Sequence, residues 1–285
     1  MRLDLKLFEL DPAAVAAGVR LVALNVVRST NEEARHRLRE RGPLWVTALS
    51  QTRGRGRMDR EWLSPQGNLY ASLILHDPAT VQRAPELAFV SALAVRDAVI
   101  AEAPALAPKL AFKWPNDLLI DGEKCGGILI EGEARFDRDE RFGGLSVIVG
   151  IGVNCLSHPS AMDFVPPGEP MPRESPHYPA TDLLAHGADV PAPVLFQRLS
   201  VTMLARIAQW KAGEGLASIL SDWLAAAYGV GQEITVRCFT HEKKGHFAGL
   251  DEAGRLLLQL PDGAVETIAA GDVFLFDRKG GRTVP

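Results

Sequence analysis

The sequence has no Cys-x-x-Cys pair, no apolar run long enough to cross a bilayer, and no marked excess of either charge. Each absence excludes something. The 3 cysteines, Cys125, Cys155 and Cys238, are odd in number and widely spaced. That fits neither a disulfide framework nor a zinc site, and leaves thiols in a reducing cytoplasm as the expectation. The histidines show no metal-like pairing, and no internal repeat occurs. A membrane-spanning helix needs about 20 consecutive apolar residues. Met1 to Leu10 alternates charged and apolar residues without the apolar stretch of a secretory signal. A net charge of -4 supplies no overall positive field for nucleic acid or an anionic membrane surface.

What is present is ordinary globular composition. With 285 residues, of which 47% are hydrophobic and 23% charged, one large domain with a small one appended is expected. Gly229-Val230-Gly231 marks the boundary, giving residues 1–228 and 229–285. Ser29-Thr30-Asn31-Glu32-Glu33 reads as a capped helix start, with a helix-forming Ala34 to Glu40 stopped by Gly42-Pro43. Strands are expected at Leu44 to Leu49, Asn68 to His76, Leu110 to Trp114 and Ser146 to Asn154, with a hairpin of Leu118 to Ile120 and Lys124 to Ile130 around Asp121-Gly122. Helical spacing marks Glu86 to Glu102, Pro193 to Lys211 and Leu216 to Ala227, and His158 to Pro179 reads as a surface loop. Hairpin-linked strands outnumber helices, which predicts an α+β fold: a mixed or antiparallel sheet with helices on one face. The short strands after residue 229 predict a small β-barrel.

Three stretches carry candidate chemistry. Gln51 to Trp62 alternates arginine with glycine (Gly54-Arg55-Gly56-Arg57) before a tryptophan. Glycine lets backbone N–H groups approach an anion, and arginine offers a charged fork to carboxylate or phosphate. Lys113-Trp114-Pro115-Asn116-Asp117 ends a strand with a lysine suited to phosphate charge, with Asn116 and Asp117 placed to orient it or to reach a magnesium ion. Gly126-Gly127 and Gly150-Ile151-Gly152-Val153-Asn154 put glycines inside strands, where a ligand or another backbone comes close.

In this order the pieces resemble the catalytic module of biotin–protein ligases, over roughly residues 22 to 276: the Ser29-Thr30-Asn31 helix start, Gln51 to Trp62, Ser64 to Tyr70, Lys113 to Asp117, Lys124 to Leu129 and Gly150 to Asn154. The resemblance implies the biotin/lipoate ligase-like fold with a C-terminal SH3-like β-barrel, and an enzyme that adenylates biotin with ATP and magnesium. Biotin then passes to a lysine of a carrier protein, the biotin carboxyl carrier domain. It implies that Ser29, Thr30 and Gln51 bond the ureido ring, with Asn31, Gly54, Gly56 and Gly127 lining the biotin site. Arg55, Arg57 and Lys113 would be catalytic, gathering the biotin carboxylate and the phosphates. Trp62, Asn116 and Asn154 would hold the adenylate, and Asp117 would be the magnesium ligand. A cytoplasmic monomer or weak homodimer is expected, contacting neither nucleic acid nor membrane, since the 28 residues before Ser29 are too few for a helix-turn-helix domain.

Two positions depart from the family pattern: Arg28 stands where aspartate is usual, and Asp59 where the loop's final glycine is usual. They keep open a non-catalytic sensor of biotin or its adenylate. A lipoate ligase is the other alternative, although the Arg-Arg-x-x-Gly-Gly segment usual there is absent.

Overall fold

The computed structural model describes residues 8–136, 142–160, 163, 179–238, 242–277 and 282–284. The larger sheet has seven strands: β1 (Arg20–Val27), β2 (Leu44–Gln51), β3 (Leu69–His76), β4 (Leu110–Lys113), β5 (Asp117–Ile120), β6 (Glu123–Phe136) and β7 (Phe142–Val153), in the order β1-β2-β3-β7-β6-β5-β4. Only β1 and β2 run parallel, joined through α2 (Thr30–Arg35); every other pairing is antiparallel. The sheet is therefore mixed, as the hairpin-rich sequence predicts. β1 and the short α1 (Pro12–Ala16) were not foreseen, because β1 alternates only weakly and is half-exposed along its length.

Alternation along the strands sorts the two faces. Leu69, Ala71, Leu73 and Leu75 of β3, with Val147, Val149, Ile151 and Val153 of β7, enter the main core. There they meet α3 (Leu87–Glu102), α4 (Ala192–Trp210) and α5 (Leu216–Leu224). Helix α3 is apolar nearly all round because it is wedged between sheet and helices. Trp223 of α5 stacks on Phe112 of β4 with centroids 5.5 Å apart and meets Phe89 edge-on at 5.4 Å. Burying each such ring contributes roughly 1.5–3 kcal/mol.

The opposite face carries α2, packed on Leu44, Val46, Ile74 and Ile148. That helix is shorter than expected: it ends at Arg35, and the Ser29 side chain makes no capping hydrogen bond. Beyond α2 this face is left to the candidate site. The Asp121-Gly122 hairpin is as expected, with both residues at positive φ (50° and 87°). Most of the anticipated His158–Pro179 loop lies outside the described residues.

A second, six-stranded antiparallel sheet follows: β8 (Glu233–Arg237), β9 (Glu242–Leu250), β10 (Leu256–Gln259), β11 (Val265–Ile268), β12 (Asp272–Asp277) and β13 (Arg282–Val284), in the order β11-β10-β9-β8-β12-β13. Ile234, Val236, Phe247, Leu256 and Leu258 give it an apolar interior. It is tied to the larger sheet where Trp114 Nε1 donates to Gly254 O at 3.0 Å. Among the described residues no helix is long and apolar enough to cross a membrane.

Candidate active site

The site starts from missing side chains. In the β6–β7 register Gly127 faces Gly152, and Leu129 faces Gly150. The three glycines leave a trough on the α2 face of the sheet. A Cβ on Gly152 would sit 2.7 Å from the Trp62 indole, and one on Gly150 would sit 2.4 Å from Asn31 Oδ1. Trp62 and Asn31 thus rest directly on backbone, beside a cavity of about 360 Å³.

One wall is the junction of β1, α2 and β2. Gln51 Oε1 accepts from Thr30 N at 2.7 Å and from Thr30 Oγ1 at 3.2 Å, and Gln51 Nε2 donates to Ser64 Oγ at 2.9 Å. Ser72 Oγ lies 2.8 Å from Thr30 Oγ1 and 2.6 Å from Asn31 Oδ1, while Asn31 Nδ2 donates to Glu131 Oε2 at 2.6 Å. Ser29, Thr30 and Asn31 are all buried. Held this way, the wall is a rigid set of polar groups suited to a neutral hydrogen-bonding ring.

The arginine–glycine stretch forms a small hairpin lid. Trp62 N donates to Gly54 O at 2.9 Å, Gly56 N to Arg60 O at 2.7 Å, and Arg60 N to Arg57 O at 3.2 Å. Met58 and Asp59 occupy the tip with φ of 53° and 54°. Two successive positive φ values define the hairpin turn whose second position favours glycine, so Asp59 keeps the left-handed backbone without the residue best suited to it. Gly54 does not line the cavity: its Cβ position lies 2.3 Å from Trp62 O, inside the hairpin. Its role is to let the two arms close.

Arg55, Arg57 and Arg60 of the lid each meet a carboxylate. Arg55 Nη2 donates to Glu131 Oε1 at 3.0 Å and Arg55 Nη1 lies 3.6 Å from Asp59. Burial alone would raise the Glu131 carboxyl, but the Asn31 hydrogen bond and the charges of Arg55 and Arg35 hold it below its usual value. Arg57 Nη1 donates to Asn116 Oδ1 at 3.3 Å and lies 3.9 Å from Asp272, and Arg60 is hydrogen-bonded to Asp272. Burial lowers the Arg57 pKa, opposed by Asp272 and Asp117.

Lys113 lines the same cavity. It is 7% exposed, and burial lowers its pKa from 10.5 to about 8, with Asp117 opposing. Its Nζ stands 5.1 Å from the centroid of Phe274, a residue of β12. The lining holds five cations (Arg55, Arg57, Arg60, Lys113 and Lys124) against three acids (Glu61, Asp117 and Asp272). Such a pocket favours an anion with more than one negative charge.

All the sequence-predicted site residues except Gly54 therefore converge on one cavity. Their partners add detail. Asn116 orients Arg57, and also clasps β6 by donating to Ile128 O at 2.7 Å. Asn154 is buried, with its amide donated to Thr181 O at 3.0 Å. Asp117, expected as the magnesium ligand, is paired with Lys124 Nζ at 2.7 Å. Among the described residues no group of three or more His, Cys, Asp or Glu could hold a metal ion by itself. Arg60, Lys124, Asp272 and Phe274 were not foreseen; the last two arrive from the second sheet, which local sequence does not place. Lys243 of the second sheet is paired with Glu266. Cys125 and Cys155 are buried free thiols, their pKa values pushed up by burial.

Comparison with known proteins gives this geometry a family. The model of the biotin/lipoate A/B protein ligase family matches residues 23–154, and that of the biotin protein ligase C terminal domain matches residues 229–275. A biotin–[acetyl-CoA-carboxylase] ligase of Paracoccus denitrificans is 38% identical over 237 residues, covering 82% of this chain and 90% of the relative. This chain belongs to the biotin protein ligase family. Within that family, the bifunctional ligase/repressor BirA of Bacillus subtilis is 32% identical over 261 residues, covering 90% of this chain and 74% of the relative. Among solved structures, the biotin protein ligase of Aquifex aeolicus in complex with biotin and ATP aligns with a TM-score of 0.68 and 25% identity, over 89% of this chain and 97% of that one.

Proposed function

We propose that this member of the family is a working ATP-dependent biotin–protein ligase, forming biotinyl-5'-AMP and passing biotin to a lysine of a biotin carboxyl carrier domain. The observation that carries the reading is that the buried Lys113 and the lid arginines line one glycine-floored cavity. In the first step a biotin carboxylate oxygen attacks the α-phosphorus of ATP, and pyrophosphate leaves. Lys113, between the carboxylate and the phosphate, offsets the charge that builds on the α-phosphate, and Arg55 and Arg57 gather the remaining negative charge. Ser29, Thr30, Asn31 and Gln51 take the ureido ring, and Gly127 leaves it room. In the second step the carrier's lysine amine attacks the carbonyl carbon of the mixed anhydride; AMP departs and an amide remains. Trp62 on its glycines, with Lys124 Nζ 5.3 Å from its ring, closes the cavity against the water that would hydrolyse the adenylate. Asn154 takes the adenosine end. Asp117, which lines the cavity, would help hold the magnesium accompanying ATP, and the ion would shield the phosphate charge.

Two observations weigh against a silent sensor. Arg28 does not line the cavity and pairs with Glu32 at 3.3 Å, and the Asp59 side chain is 88% exposed at the lid tip. Neither departure puts a charge among the ligands. The reading extends to the division 1–228 and 229–285, which the two family matches and the two sheets support, and to a cytoplasmic monomer or weak homodimer, consistent with free thiols in the core.

The test is exchange of labelled pyrophosphate into ATP, with biotin, lipoate and octanoate in parallel. Exchange with biotin alone is expected. Biotin binding without exchange would return the protein to the sensor reading, and exchange with lipoate would move it to the sister activity.

A further inference from the structure

The second sheet reaches into the site through one carboxylate. Asp272, the first residue of β12, is hydrogen-bonded to Arg60 and lies 3.9 Å from Arg57 Nη1, which also donates to the neighbouring Gly271 O at 3.4 Å. Both arginines belong to the lid, on opposite arms of its hairpin, and Asp272 itself lines the cavity. We propose that Asp272 is a positioning residue for the nucleotide: from the small sheet it holds Arg57 and Arg60 over the cavity before ATP arrives. The proposal rests on the ligase reading above.

Three considerations support holding rather than blocking. A guanidinium carries several N–H donors in a planar fork, so an arginine anchored by one carboxylate keeps others for a phosphate. With Asp272 in place the lining still has five cations to three acids, so the polyphosphate is attracted without displacing it. Arginine side chains lose much rotamer freedom when fixed, and fixing them before the ligand arrives removes that loss from the binding step. If Asp272 were instead a stand-in anion that ATP must expel, its removal would tighten nucleotide binding. The two roles differ in sign.

The experiment compares the full chain with Asp272→Asn, which conserves shape, and Asp272→Glu, which restores charge. Biotin-dependent pyrophosphate exchange is followed against ATP at saturating biotin. In Asp272→Asn, KM for ATP is expected to rise roughly five- to tenfold, as fits losing a charge-assisted pairing, with the change falling on KM rather than kcat. Asp272→Glu is expected to recover most of it. Limited trypsin digestion without ligands reads the lid directly, and cleavage after Arg57 or Arg60 is expected to quicken in Asp272→Asn. An unchanged or lowered KM for ATP in Asp272→Asn overturns the proposal, as does an unchanged cleavage rate. Absence of exchange in the unsubstituted chain strikes the ligase reading instead, and the digestion still judges the latch.

Discussion

At the scale of the residue, Lys113 concentrates the chemistry. Its ammonium is taken out of water by the end of β4 and by Phe274, and burial brings its pKa to about 8. The charged form is the one that meets a carboxylate and a phosphate. In the free protein, kcat/KM for exchange should therefore fall as pH rises through about 8, well below the 10.5 of an exposed lysine. The same shift links to stability. Between about pH 8 and 10.5 the unfolded chain binds the proton that the folded chain has lost, so stability rises with pH across that window and the burial cost is largest below it. Lys113→Met should lower exchange by roughly 100-fold or more, the scale of losing one preorganised charge donor, with the circular dichroism spectrum retained. A loss under tenfold in steady-state exchange would remove Lys113 from its catalytic place.

The lid is the element whose sequence and conformation disagree. Its tip needs two positive φ values, and Asp59 supplies the second at 54°. A left-handed backbone costs an L-residue about 1–2 kcal/mol relative to glycine, and asparagine or aspartate tolerates it better than most. Asp59→Gly should therefore firm the lid by about 1 kcal/mol, which slows escape of a preformed biotinyl-adenylate roughly fivefold. It also removes the contact with Arg55 at 3.6 Å, but an ion pair so exposed contributes little. Equal off-rates for the two proteins would sink the argument. Gly54→Ala makes the opposite prediction. Its Cβ would meet Trp62 O at 2.3 Å, a backbone atom that cannot rotate away, so the arms separate and exchange is lost without global unfolding. Titration with urea and an exchange assay on the same preparation check both halves.

At the scale of the whole molecule, the two sheets meet where Gly254 packs beneath Phe89 and Leu220 and accepts from Trp114. Trp114 follows Lys113 directly, so this contact also braces the catalytic strand. Gly254 has φ of 76°, and a Cβ there would lie 2.5 Å from Phe89. Gly254→Ala should destabilise the fold by about 2–4 kcal/mol, combining a left-handed penalty with overpacking. The measurement is the midpoint of urea unfolding. A shift under about 0.5 kcal/mol would place the contact among ordinary surface substitutions.

How much was legible follows from what kind of interaction fixed each feature. Local chemistry settled the Asp121-Gly122 turn, the long helices and the alternating strands β3 and β7, because period and turn residues act over a few positions. It also located Gln51, Arg55, Lys113 and Gly152, since arginine beside glycine and glycine within a strand are unusual enough to mark a close-approaching anion. Local signals misjudged α2, whose helix-forming tail was overruled after Arg35, and missed the weakly patterned β1. The sequence alone thus determined the family, the cavity's glycine floor and the lining cations Arg55, Arg57 and Lys113. Only the tertiary structure decided which carboxylates Arg55, Arg57 and Arg60 meet, that Asp117 pairs with Lys124, and that Asp272 and Phe274 line the site. The reason is physical: those pairings join residues on different elements, 212 positions apart along the chain for Arg60 and Asp272, and only the packing of those elements brings them within bonding distance.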